Sequence, residues 1–555
     1  MSDQVQAIIN AHSPKPEEII PILHDVQERG GHLSRAALLE TARHTRMPEA
    51  SAYGVATFYD AFRAGAGAPP VLVCQGPVCR HRGAEQAMAA LDERGAAYTP
   101  APCLGLCEHA PAALHGDRPV GELTPDKVDD FLHGRLPQPT ALVYGRPRLA
   151  TARIGQVDPA SLSDYEAQGG FQALRRALAG PPEAVIEAVE ASGIVGRGGA
   201  MFPTGRKWRF TRGAPGSVKH LVVNADESEP GTFKDRIFLE EDPFAVIEAA
   251  ALAGYAIGAA NGWIFIRGEY PRGYARLQTA IQQARAAGYL GQNILGTGFQ
   301  FDIELRRGAG AYICGEETAL FEAIEGKRGY PRTKPPFPTT HGLFGQPTAI
   351  NNVETLIAAM TAFGMGIDEW RKLGTAQSPG TKLFCLSGDV ARPGVYELPF
   401  GVTVRELIEL GGGSDGRSLQ AVLMGGAAGK FIGPGLLDMP LTYEDARANH
   451  IPLGSGVVMV FDEKADLRRV LYDIAHFFDH ESCGQCFPCR MGTRQQADMW
   501  RRIAFDGHVR PTDKQLLFDI GAMMTKTSLC GLGQTAASAV MSAIDLWPDL
   551  VDGRQ

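Results

Sequence analysis

The chain has 555 residues, 44% of them hydrophobic and 21% charged, the make-up of a globular protein of roughly three to five domains. A net charge of −8, with no basic patch interleaved with aromatics, argues against a nucleic-acid partner, and no apolar run is long enough for membrane insertion. The start, Met1-Ser2-Asp3-Gln4, has no basic-then-apolar signal pattern, so a reducing cytoplasm is expected, where the ten cysteines stay free of disulfides.

Residues 1–65 read as a helical bundle. Pro16-Glu17-Glu18 predicts a helix start, with Ile19, Ile20, Leu23 and Val26 as its apolar stripe; Val55, Phe58, Tyr59 and Phe62 form another. A Gly/Ala/Pro spacer then leads into a short strand, Val71-Leu72-Val73, with Cys74 at its end. Cys79, Cys103 and Cys107 complete a C-x4-C and C-x3-C pair on two loops. Four thiols in two pairs suit a 2Fe–2S cluster; zinc is the competing metal, and four buried free cysteines are the bland alternative. The stretch 66–135 resembles the thioredoxin-like ferredoxin subunit that partners the flavin subunit of respiratory complex I, and the helices before it match that subunit too. A Pro- and Arg-containing linker, 136–160, follows.

Asp164-Tyr165 and the turn Gly169-Gly170-Phe171 open the next unit, 161–375, and two helical stretches lead to Gly196-Arg197-Gly198-Gly199-Ala200-Met201-Phe202-Pro203-Thr204-Gly205-Arg206-Lys207-Trp208. These glycines free the backbone for close approach to a ligand, and the cations after them point to an anion. It is not a Rossmann fingerprint: Met201 stands at the sixth position, and Pro182–Ser192 is spaced as a helix where the fingerprint needs a strand. The stretch resembles the FMN and NADH loop of the complex I flavin subunit and of its relatives, the diaphorase subunits of NAD-reducing hydrogenases and NAD-dependent formate dehydrogenases. That family usually has glycine where this chain has Met201.

Beyond the loop, strands alternate with helices, the pattern of an α/β layer: Leu221-Val222-Val223, Trp263-Ile264-Phe265-Ile266, and Phe301 to Leu305. Loops after such strands are where an open sheet binds ligands. The resemblance implies that Gly196, Gly198, Gly199, Lys207, Asn224, Asp226, Glu227, Ser228, Tyr312, Gly315, Glu316, Glu317, Asn351, Asn352 and Thr355 hold FMN. It implies that Phe202, Phe210 and Phe337 sandwich the adenine of NADH, with Lys207, Glu229, Glu317 and Lys334 beside them. Read from position alone, Glu316 and Glu317 are also favourable charges at a helix start. Cys314, without a paired thiol, reads as packing.

Residues 376–464 shift to short strands and turns, among them Leu383 to Gly388 (with Cys385 in the core) and Gly394 to Leu398; this resembles the family's β-grasp module, a spacer. From 465 to 555 the chain reads as helical. It carries Cys483-x2-Cys486-x2-Cys489 and the remote Cys530, the pattern of a 4Fe–4S cluster, with zinc the weaker candidate. Gly484 and Gly531 leave room for backbone amides to point at the sulfides.

The expected fold is α/β multidomain: an N-terminal helical bundle, a thioredoxin-like ferredoxin domain, an α/β FMN-binding domain, a β-grasp module and a C-terminal helical bundle with its cluster. The resemblance implies hydride exchange between NAD(H) and FMN and single-electron exchange with the clusters, with no side chain as acid or base. No molybdenum, tungsten or nickel motif occurs, so the terminal substrate is expected on a partner. Fusion of the two units, the S-D-Y and G-G-F stretch and the absence of a trailing ferredoxin domain most resemble the β subunit of a cytosolic NAD-dependent formate dehydrogenase. Its partner would be an α subunit with a molybdenum- or tungsten-pterin and further iron–sulfur clusters. A hydrogenase diaphorase is the alternative, a complex I subunit fusion the third reading, and a scaffold with purely structural clusters the fourth.

Overall fold

The computed structural model describes residues 3–63, 71–414 and 416–552. Helices Asp3–Ala11, Ile19–Gly30, Arg35–His44 and Glu49–Ala56 form the N-terminal bundle. Pro16–Glu18 makes a 3-10 turn, and the α-helix begins only at Ile19; it buries Ile19, Ile20, Leu23 and Val26 and closes on Gly31 in the left-handed region. Of the second stripe, only Val55 is helical; Phe58, Tyr59 and Phe62 lie in the turns that follow, and the Tyr59 hydroxyl reaches the Lys327 carbonyl at 2.7 Å. Most of the Gly/Ala/Pro spacer lies outside the described residues.

The first sheet runs in the order Thr99–Ala101, Val71–Cys74, Ala113–His115, Arg118–Val120, parallel at its first pairing and antiparallel after it. Only its second strand was legible in the sequence. The second sheet is wholly parallel, in the order Asp302–Arg307, Asn261–Ile266, His220–Ala225, Thr348–Asn352. Parallel strands need covering on both faces. The helix Pro243–Ile257 packs against the two central strands with scarcely an exposed residue, which is why it shows no polar stripe. The C-terminal ends of these four strands bring the acid loop after Ala225, Arg267, the turn after Arg307 and the helix Val353–Met365 to one edge.

The third sheet has six strands, in the order Lys430–Ile432, Leu419–Met424, Val457–Asp462, Thr381–Gly388, Gly394–Pro399, Val143–Tyr144. Its last strand comes from the stretch read as a linker. Val143 and Tyr144 pair with Val395 and Tyr396, and the buried Glu397 carboxylate accepts from the amides of Leu149, Ala150 and Thr151 at 2.9–3.0 Å. That stretch is therefore bound into the sheet rather than strung between domains. Helices Leu467–Glu481, Phe487–Phe505, Asp513–Thr527, Gly531–Thr535 and Ser538–Leu546 close the chain. Among the described residues no helix is long and apolar enough to cross a membrane.

Candidate flavin and iron–sulfur site

The glycine loop is closed by a bridge between Val195 and Pro203, with the Gly196 amide donating to the Phe202 carbonyl at 2.9 Å. Gly198 lies on the side chain of Asn352, so close that a Cβ there would stand 3.2 Å from it. Gly199 has φ +114°, and Met201 takes φ +52°, a left-handed conformation that glycine adopts freely and methionine does not. The loop is held from behind: the Arg197 amide donates to Thr355 Oγ1 at 2.9 Å and its guanidinium to Glu354 at 3.0 Å.

On the helix Thr204–Gly213, the Lys207 ammonium donates to the Ile350 carbonyl at 2.9 Å, and burial pushes its pKa down. Trp208 Nε1 donates to Asn351 Oδ1 at 2.9 Å. Phe202, Phe210 and Phe337 are 40%, 46% and 58% exposed, three apolar rings left facing solvent. Lys334 bridges Glu316 at 2.9 Å and Glu317 at 2.5 Å.

In the acid loop, Asn224 Nδ2 donates to the Gly315 carbonyl at 2.8 Å, and Ser228 Oγ to the Asp226 carbonyl at 2.7 Å. Asp226 is buried, its Oδ2 meets no hydrogen-bond donor among the described residues, and a Cβ on Gly315 would stand 3.3 Å from that oxygen. Burial, opposed by Arg267, pushes this carboxyl up to about 7. Glu229 rises to about 7 through burial, opposed by the Tyr312 hydroxyl that donates to it; its other oxygen accepts the Ala428 amide at 2.7 Å. Glu227 turns the other way, accepting the amides of Asp235 and Arg236 at 2.6 and 2.9 Å and the Tyr270 hydroxyl at 3.0 Å. Burial and then Asp235 push it up to about 8.

Several residues singled out in the sequence already have partners within the chain. Glu316 caps the helix Glu317–Ile324, accepting the amides of Thr318 and Ala319 at 2.8 and 2.9 Å, as its position at a helix start suggested. Asn351 and Thr355 are engaged by Trp208 and Arg197, and Asn352 donates to Asp235 at 2.6 Å.

Cys483, Cys486, Cys489 and Cys530 line one cavity together with Ile313 and Pro331. Gly484, at φ +75°, lets the next amide, that of Gln485, face the Cys483 sulfur; the amides of Leu532 and Gly533, rather than that of Gly531, face Cys530. Burial pushes the Cys489 thiol up to about 12 and Cys530 up to about 11. Iron that binds here must therefore displace protons. Cys74, Cys79, Cys103 and Cys107 are all buried, with the amides of Gly76 and Gly105 donating to the sulfurs of Cys74 and Cys103 at 3.4 Å each. Among the described residues no three metal-binding side chains converge on one point. Thiols ringing a void suit a cluster, in which the cysteines hold separate irons. The orphaned Asp226 oxygen, the glycine cradle against Asn352 and the bare aromatic rings likewise fit a flavin with a nucleotide beside it.

The two cysteine groups flank the acid loop. Arg267 donates to the Cys103 carbonyl at 2.7 Å and the Glu227 carbonyl at 2.8 Å, and Arg236 donates to the Gly105 carbonyl at 3.0 Å while pairing with Glu108. On the other side, Tyr312 touches Glu229 and its neighbour Ile313 lines the four-cysteine cavity. Neither Arg267 nor the Arg197–Glu354 pair was legible in the sequence, because single arginines and glutamates carry no motif.

Four family models match this chain. Residues 189–361 match the Nuo51 FMN-binding domain, residues 469–554 the NADH-ubiquinone oxidoreductase-F iron-sulfur binding region, residues 5–135 the thioredoxin-like [2Fe-2S] ferredoxin and residues 383–423 the SLBB domain. An NADH-quinone oxidoreductase subunit of Aquifex aeolicus is 45% identical over 393 residues, 70% of this chain and 90% of that protein. The NAD-reducing hydrogenase HoxS subunit alpha of Cupriavidus necator is 35% identical over 583 aligned positions, 100% of this chain and 94% of that one. The crystal structure of an NAD+-reducing [NiFe]-hydrogenase in the air-oxidized state aligns with a TM-score of 0.84 at 32% identity, covering 98% of this chain and 94% of the other. Fold and site define a class, the NADH-oxidising subunits that carry flavin and iron–sulfur clusters. The chain belongs to the family of FMN-binding subunits of the complex I 51 kDa type, joined here to a thioredoxin-like 2Fe–2S region.

Proposed function

We propose that this chain is the NAD(H)-reacting diaphorase subunit of a cytoplasmic NAD-dependent formate dehydrogenase. The observation that carries the diaphorase part is the placement of the acid loop between two cysteine groups, tied to one by Arg267 and to the other through Tyr312-Ile313. Bound there, FMN supplies the exchange of a nicotinamide hydride for single electrons that iron–sulfur clusters can take.

The chain's residues position and enclose. Gly196, Gly198, Gly199, Asn224, Asp226 and Gly315 form the cradle for the flavin, with Asn352 supporting Gly198. Phe202, Phe210 and Phe337 receive the adenine, while Lys207, Lys334, Glu317 and Glu229 surround the rest of the dinucleotide. Cys74, Cys79, Cys103 and Cys107 hold the 2Fe–2S group, and Cys483, Cys486, Cys489 and Cys530 the 4Fe–4S group. The domain limits 1–65, 66–135, 161–375, 376–464 and 465–555 go with this reading.

The partner is an α subunit with a molybdenum- or tungsten-pterin and its own iron–sulfur clusters. What supports formate as the terminal substrate is the likeness around Ser163-Asp164-Tyr165 and Gly169-Gly170-Phe171. In the fold, the Tyr165 hydroxyl and the Phe171 amide both donate to Glu248, at 2.5 and 2.6 Å. The full-length match to a hydrogenase subunit favours the second reading, a hydrogenase diaphorase. Purifying the native complex and assaying NAD+ reduction with formate and with hydrogen, alongside molybdenum, tungsten and nickel analysis, separates the two. Hydrogen-driven reduction with nickel present overturns the formate reading. No spectral change with NADH overturns the diaphorase reading as well.

A further inference from the structure

The six-stranded sheet looks like a spacer in the sequence, yet it enters the support of the glycine loop. Lys382, on the strand Thr381–Gly388, is fully buried, and its ammonium stands 3.2 Å from Glu354 Oε2 and donates to the Ser455 carbonyl at 3.2 Å. The next residue's amide, that of Leu383, donates to Glu354 Oε1 at 3.0 Å. The same carboxylate receives Arg197 of the glycine loop at 3.0 Å and Lys234 at 3.2 Å. Glu354 is thus one buried carboxylate onto which three cations converge from the glycine loop, the acid loop and the small sheet. Asp235 neutralises Lys234 at 2.9 Å, which leaves Arg197 and Lys382 to share Glu354. The half-buried Tyr443 ring lies within electrostatic reach of Arg197, Glu354 and Lys234.

A buried ammonium with half a counter-ion costs folding energy. The strand that carries Lys382 continues as Leu383, Phe384, Cys385 and Leu386, all apolar and buried, so the ammonium is the one charge in that run. We propose that Glu354 and Lys382 are positioning residues for the flavin: they fix the height and direction of the glycine loop through Arg197, and so make the small sheet a working wall of the flavin site. The inference rests on the reading that this loop holds FMN.

Burial pushes Lys382 down to about 8, against the attraction of Glu354. Its folded-state value lies below the ordinary one, so the strain of keeping it charged is present below pH 8 and is relieved as pH rises through 8. Above that pH the ammonium no longer holds Glu354. Lys382→Met removes the charge and keeps the volume. The full-length protein, stripped of flavin and titrated with FMN by quenching of flavin fluorescence, should bind roughly tenfold more weakly in this variant. Its melting temperature should stay level or rise, because an uncompensated buried charge has gone. Wild-type affinity should fall between pH 7 and pH 9, and the K382M profile should be flatter; comparing the two isolates Lys382 from Glu227, which titrates nearby. Glu354→Gln alone strands its cations and is expected to fold poorly, whereas the double variant E354Q/K382M should recover part of the fold. Equal affinities and parallel pH profiles for wild type and K382M overturn the proposal. A K382M variant that merely melts lower, with a wild-type pH profile, overturns it too. A wild-type chain that takes up no FMN instead removes the reading beneath it.

Discussion

Cys103 and Glu227 share one guanidinium: Arg267 donates to the carbonyl oxygen of the first at 2.7 Å and to that of the second at 2.8 Å. Arg267 is itself buried, and Glu269 stands 3.2 Å away as its counter-ion. The loop proposed to carry a 2Fe–2S thiol is thereby set against the loop proposed to carry the flavin, and Arg267 meets both through backbone carbonyls. Arg267→Gln should cost about 3 kcal/mol, the penalty for leaving a buried charge partner and two carbonyls unmet. It should also slow the appearance of the 2Fe–2S electron paramagnetic resonance signal after NADH is added, while the 4Fe–4S signal keeps its rate. Equal rates for both signals in the variant would remove Arg267 from the coupling.

Lys207 and Glu229 test the nucleotide side. Lys207→Met and Glu229→Gln should each raise the KM for NADH in dye reduction at least tenfold, a loss of one charged hydrogen bond. FMN content should stay at the wild-type level in E229Q, because the Glu229 carboxylate is tied to Tyr312 and Ala428 rather than to the glycine loop. Undiminished activity in both variants would refute their assignment.

Three carboxyls on one loop, Asp226, Glu227 and Glu229, are pushed up to about 7, about 8 and about 7, in each case mainly by burial. Each is raised above its unfolded value. Their contribution to stability is therefore complete below about pH 4 and is lost as pH climbs through 7 to 8. In a thermal-shift series the flavin-free protein should melt progressively lower from pH 5 to pH 8; above that the three carboxyls are ionised in both states and the relief of Lys382 acts the other way. Glu227→Gln cannot ionise and keeps one of the two acceptor oxygens that serve the amides of Asp235 and Arg236, so it should lower the melting temperature at every pH and flatten that slope. A slope unchanged in E227Q would mean that other groups set it.

Met201 occupies a left-handed position, φ +52°, and is 39% exposed, so its side chain gains little there. The conformation costs an L-residue about 1–2 kcal/mol, and glycine's extra chain entropy gives back about 0.5–1 kcal/mol of that. Met201→Gly should therefore leave stability equal or raise it by up to about 1.5 kcal/mol, and should tighten FMN binding modestly. Met201→Val, β-branched at the same φ, should weaken FMN binding; tighter binding by the valine variant would contradict the strain argument.

What could be read from the sequence was whatever repeats a local rule. Strands such as Trp263 to Ile266 announced themselves as apolar runs before polar loops, and the two cysteine groups by their spacing. The short strands Thr99–Ala101 and Arg118–Val120 were not legible, because three residues set no period and Pro100 and Pro119 mask them. The site was legible as a set of loops but not as a set of contacts. Asn351 and Thr355 read as flavin contacts; in the fold the first also accepts from Trp208 and the second from the Arg197 amide. Such pairings join positions far apart in the chain, and no single residue signals them. The buried charges behind the glycine loop were hidden for the same reason, since Glu354, Lys234 and Lys382 each look like surface residues when read alone.

The strand Val143–Tyr144 and the amides gathered by Glu397 have one more consequence. The chain that follows the first four cysteines is stitched into a neighbouring sheet, which shortens the tether on which they could travel. On the proposed reading, a carrier so moored does not shuttle between stations, and its electron comes and goes by tunnelling across a gap that folding has already set.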